Sequence, residues 1–179
     1  MPFYPQAMTE LDQVWSQMLE NAAAKAAGSG RDDIVAYLRL KATNDAIRLT
    51  GVNWLYDSLI EIAAEETRRG QAIRIERQEP HTHRRGNSNM VGSLLSFHLG
   101  VRCLTVETGW TRTPSDGVMT GGALASARIL HFGISNANAD LSFAYQKDLP
   151  IWRLDEDGRG KRQFYVSDLK DHFKVFLGK

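Results

Sequence analysis

The residue order predicts an α+β fold: N-terminal helices (about three) packed on a mostly antiparallel meander sheet, with a short C-terminal helix. Two observations carry this. Apolar residues recur at helical spacing through the first seventy positions and then switch to alternation. The alternating runs are joined by short, turn-rich separators, with no helix between them that would serve a parallel crossover.

Thr9 reads as the N-cap of a first helix, with Glu10 and Asp12 in its first turn facing the positive end of the dipole. Leu11, Val14, Trp15, Met18, Leu19 and Ala22 follow on one face until Gly28 to Gly30 end the element. A second helix starts at Asp32 and carries Ile34, Leu38, Ala42 and Leu49. A third is expected from Val52 to Arg69, with Leu55, Tyr56, Leu59, Ile62 and Ala63 on its apolar arc and Gly70 as its stop.

Past Gly70, "QAIRIERQ", "NMVGSLLSFHL", "VRCLTVETGW", "ALASARILHF", "LSFAYQ", "IWRL" and "RQFYV" read as strands. The segments between them are rich in the Gly, Asn, Asp and Pro that turns require. "SDLKDHFKVFLGK" closes the chain as an amphipathic helix capped by Ser167. The chain reads as one domain, 1–179, in which residues 1–70 are helical, 71–166 form the sheet and 167–179 the last helix.

Composition bounds the function. No apolar run approaches the roughly 20 residues needed to span a bilayer, and the N-terminus does not read as a secretory signal. The single cysteine, Cys103, excludes an internal disulfide, and a cytoplasmic location is expected. Cys103 itself reads as a small buried hydrophobe. The first 70 residues hold seven Lys/Arg and ten Asp/Glu, and the remainder fifteen and eleven, which is too slight a basic excess for a nucleic-acid groove. A superficial helix-turn-helix around Gly51 exposes Asp57, Glu61 and Glu65, whose charge would repel phosphates.

Two segments concentrate chemistry. In "EPHTHRRGNSNM" (79–90), His81 and His83 sit two apart, so an extended backbone places both rings on one side. Arg84, Arg85 and Asn87 follow, and guanidinium forks suit phosphate or carboxylate. The second segment, "ETGWTRTPSDGVMTGG" (107–122), is longer than a hairpin needs and offers Trp110, Arg112 and Asp116. Its glycines match neither the phosphate-loop nor the dinucleotide fingerprint. The sequence therefore predicts a non-catalytic binding or interaction protein that takes a small anionic molecule or a protein partner through His81, His83, Arg84, Arg85, Asn87, Trp110, Arg112 and Asp116. No cofactor, nucleic acid or membrane is expected in this reading.

The alternative reading is a metal-assisted hydrolase acting on a phosphate-containing substrate. There a divalent transition metal would be held by His81 and His83, with Glu107 or Asp116 completing the shell and Arg112 stabilising negative charge. A third reading is a homo-oligomer joined through an exposed strand edge or aromatics such as Trp54. The competing bland reading makes 79–90 a solvated hairpin loop. Asp45 falls inside the apolar arc of its helix and needs a partner, a role Lys41 or Arg48 would fill from the same helix. His98 and His131 read as satisfied sheet residues.

Overall fold

A computed structural model describes residues 10–156 and 159–179, with side chains of the first helix described from position 13 onward. Thr9 lies outside the described residues. The elements, in chain order, are helices α1 (Glu10–Gly28) and α2 (Asp32–Arg68), strands β1 (Arg74–Arg85), β2 (Ser88–Leu99), β3 (Arg102–Trp110), β4 (Ala125–His131), β5 (Ala139–Gln146), β6 (Leu149–Glu156) and β7 (Gly160–Gln163), and helix α3 (Val166–Leu177). The seven strands form one antiparallel sheet in sequence order, the predicted meander.

The second and third expected helices are one continuous element, α2. A mid-helix glycine costs about 1 kcal/mol against alanine, but Gly51 is itself buried and is followed by Val52, Leu55, Tyr56 and Leu59, all almost wholly buried. Burial of that face offsets the cost, so the helix runs through. A second correction concerns 79–90: residues to Arg85 belong to β1, and only Gly86 and Asn87 form the turn before β2. Gly86 has φ 58°, the left-handed value a two-residue hairpin needs. At the C-terminus α3 begins at Val166 rather than after a Ser167 cap, and the Asp168 carboxylate accepts the Tyr165 N–H at 2.8 Å.

The chain divides into two compact units, Met1–Asn53 and Trp54–Lys179. In the first, Asp45 is 7% exposed and fully engaged: Arg48 Nη1 lies 2.5 Å from Oδ1, and Trp15 Nε1 donates to Oδ2 at 2.8 Å. The intrahelical partner expected from the sequence is present, and Asp45 has a structural role there.

In the second unit, strand alternation sorts the sheet into two faces. Leu95, Phe97, Leu104, Val106, Trp110, Ile129, Leu141 and Trp152 share the buried face with Leu55, Tyr56 and Leu59 of α2 and with Leu169, Phe173 and Phe176 of α3. Tyr56 illustrates the packing. Its hydroxyl is buried and bonds the carbonyls of Ser93 and Val106 and the hydroxyls of Ser93 and Thr108. Burial pushes its pKa up to about 12, against the opposing effect of the bonds to the Ser93 and Thr108 side chains.

The other face is polar and concave. In a flat sheet β1 and β6 would lie five strand spacings apart, on the order of 24 Å. Yet Arg85 of β1 donates to the Leu141 carbonyl of β5 and to Asp155 of β6, both at 2.8 Å. One side chain spans that gap only because the sheet coils towards this face. Cross-strand partners Gly92 and Gly109 lie at a tight point of β2 and β3: a Cβ on Gly92 would stand 2.1 Å from the Thr108 carbonyl oxygen.

Candidate functional site

The two segments singled out by the sequence do meet. Ser88 Oγ, at the start of β2, donates to the Val118 carbonyl at 3.0 Å and lies 3.2 Å from the Val118 N–H. Beside this contact, on the concave face, is a cleft of about 260 Å³ lined by Arg85, Met119, Thr120, Ser126, Ser142 and Lys161, among others. The connection between β3 and β4 reaches it through two short 3-10 turns, Pro114–Asp116 and Thr120–Gly122.

Ionised groups in the cleft are arranged around Asp155, which also lines it. Arg85 bonds one carboxylate oxygen and Lys161 Nζ lies 3.2 Å from the other. Lys161 also donates to Ser142 Oγ at 3.2 Å. Two cations facing one carboxylate leave an excess of one positive charge. Ser126 is the cross-strand partner of Ser142, and its hydroxyl is buried without a hydrogen-bond partner among the described residues. A buried hydroxyl without a partner is uncommon, because its desolvation goes uncompensated.

Further along the same face, His81 and His83 of β1 meet Glu107 of β3. His81 Nε2 lies 3.1 Å from Glu107 Oε1, and the two imidazoles stack at 5.7 Å between centroids. One ligand atom from each of the three side chains falls within 4.8 Å of the other two. His83 Nδ1 is buried without a partner among the described residues. Burial holds the His83 pKa below its ordinary value; Glu107 opposes the shift, while His81, Arg128 and Arg85 reinforce it. Arg128 is the cross-strand partner of Glu107 and is ion-paired to Asp140 at 3.2 Å.

The remaining predicted residues lie elsewhere. Arg84 alternates to the opposite side of β1 from His83 and Arg85 and is exposed, and Asn87 is exposed in the turn. Trp110 is 2% exposed on the apolar face, opposite Glu107 in β3, with the Arg112 guanidinium 3.8 Å from its ring centroid. It is a core residue, which corrects the expectation that it contacts a ligand or partner. Asp116 accepts the N–H groups of Arg112 and Thr113, bonds that lower its pKa, and so holds its own turn together. Of the two carboxylates expected to complete a metal shell, Glu107 meets the histidines, whereas Asp116 is not in the group.

The sequence does not single out Lys161, Ser126, Ser142 or Asp155. Alternation alone places Ser126 and Ser142 in strands, but only the cross-strand register puts them side by side. No family model, curated protein or solved structure matches the chain.

Proposed function

We propose that the protein binds a small anionic molecule, such as a phosphate ester or a multivalent carboxylate, in the cleft between the β1–β2 hairpin and the β3–β4 connection. The observation that carries this reading is the meeting of Arg85 and Lys161 in that cleft with the buried Ser126 hydroxyl, which has no partner among the described residues. An oxyanion supplies negative charge against the positive excess and an acceptor for the Ser126 hydroxyl. A volume of about 260 Å³ lies below the roughly 300–1,000 Å³ of sites for drug-sized ligands, so the ligand is small. No helix among the described residues is long and apolar enough to cross a membrane.

Calorimetric titration with inorganic phosphate and with citrate tests the proposal, using wild type and Lys161→Met. Binding of at least one anion is expected, weakened tenfold or more in the variant and weakened in wild type by added salt. Binding of neither anion, or equal binding by the variant, would overturn it.

A further inference from the structure

We infer that His81, His83 and Glu107 form a binding site for a divalent transition metal, separate from the anion cleft and independent of it. Two imidazole nitrogens and one carboxylate oxygen are a donor set suited to zinc and to its first-row neighbours. The three groups come from two strands, and the fold brings them together in a specific way. His81 and His83 are two apart in β1 and therefore project to the same face. Glu107 stands two strands away, and the residue of β2 opposite His81 is Gly92. Gly92 puts no side chain beside His81, and the His81 ring reaches diagonally to the carboxylate, 3.1 Å away.

Metal–ligand bonds of about 2.0–2.2 Å place neighbouring ligand atoms roughly 3 Å apart. The His81–Glu107 separation already meets that spacing. The third donor, within 4.8 Å, closes on the others by side-chain rotation. His83 Nδ1, enclosed and without a hydrogen-bond partner among the described residues, is an atom that a metal bond would satisfy.

Nearby positive charge works against a cation here, but each of the two arginines on this face that act on His83 has a carboxylate partner of its own. Arg84 projects to the other face, Arg85 is ion-paired with Asp155 at 2.8 Å, and Arg128 with Asp140 at 3.2 Å. The Glu107 carboxylate then supplies the negative charge that a divalent ion requires. Three protein ligands leave at least one coordination position for water or an exogenous ligand.

The test uses the full chain after chelator treatment, titrated with zinc by calorimetry and with cobalt(II) by visible absorption. One equivalent of either metal per chain, ligand-field bands for cobalt, and a raised melting temperature are expected. Glu107→Gln and His83→Asn should each lower affinity tenfold or more, whereas His98→Gln, outside the set, should leave it unchanged. Far-UV circular dichroism separates loss of a ligand from loss of the fold, and whichever of the two variants stays folded decides the matter. No stoichiometric metal in wild type, or wild-type affinity in a folded variant, would overturn the assignment.

Discussion

The molecule holds two stacked histidine pairs whose ring nitrogens are engaged differently. His81 and His83 stand side by side on β1, 5.7 Å apart and 19° from parallel. His131, at the end of β4, faces His172 of α3, 5.3 Å apart at 22°. In the second pair the rings bond each other, His131 Nε2 to His172 Nδ1 at 3.0 Å, so one ring's donor meets the other's acceptor. Neighbours on one strand project in parallel, and here His81 turns to Glu107 while His83 Nδ1 stays unpartnered among the described residues. A histidine pair becomes a candidate ligand set when its nitrogens are left for a third group. A pair that satisfies itself across an interface is a packing element.

The largest expected effect tests that second role. Phe173 is 1% exposed and packs edge-on against Phe97 and Phe176. Phe173→Ala should cost about 3–5 kcal/mol in urea unfolding. It should also loosen α3, so that the His172 pKa, which burial first and then His131 hold down at about 4, climbs towards its ordinary value in an NMR titration. An unchanged His172 titration in a folded variant would show that α3 docking does not set it.

Acidification should have the next largest effect. A depressed histidine pKa means the unfolded chain binds protons that the folded chain refuses. The contribution of such a histidine is therefore fully present above about pH 6.5 and is lost as pH falls towards 4. Asp168 and Asp171 of α3 favour the His172 proton, Arg162 opposes it, and the shift remains downward. His131 is shifted down by burial as well. Between pH 7 and 5, His172 alone should cost up to about 2 kcal/mol. The slope of stability against pH should flatten in His172→Gln, and a slope identical to wild type would break the contrast between the pairs.

Smaller effects come from the adjacent arginines beside the first pair. Arg85→Met removes the link from β1 to β5 and β6 across the concave face and should cost about 1 kcal/mol. Arg84→Met alters an exposed group on the other side of the strand and should stay within about 0.5 kcal/mol. Equal losses in chemical denaturation would mean that Arg85 does not hold the coil of the sheet.

Much of the architecture is readable from residue order because it depends on local periodicity. Alternation sets the strands and their faces, and helical spacing sets the apolar arc from Val52 to Ala63. Where residue order misleads, longer-range burial decides: Gly51 looks like a break until the packing of Tyr56 and Leu59 carries the helix through it. In the same way "EPHTHRR" looks like loop because its side chains are polar, although a polar strand is what one face of a half-solvated sheet requires.

The candidate sites divide along the same line. The His-x-His spacing follows from the sequence alone, since the two-residue period of a strand makes its geometry inescapable once the strand forms. That Glu107 rather than Asp116 meets it depends on the register of β1, β2 and β3 and on the empty place at Gly92. That Arg85 meets Lys161 depends on the coiling of seven strands, which brings together residues 76 positions apart in the chain. Local alternation is written in neighbouring residues, whereas register and coil are settled by the summed packing of the whole sheet against its helices.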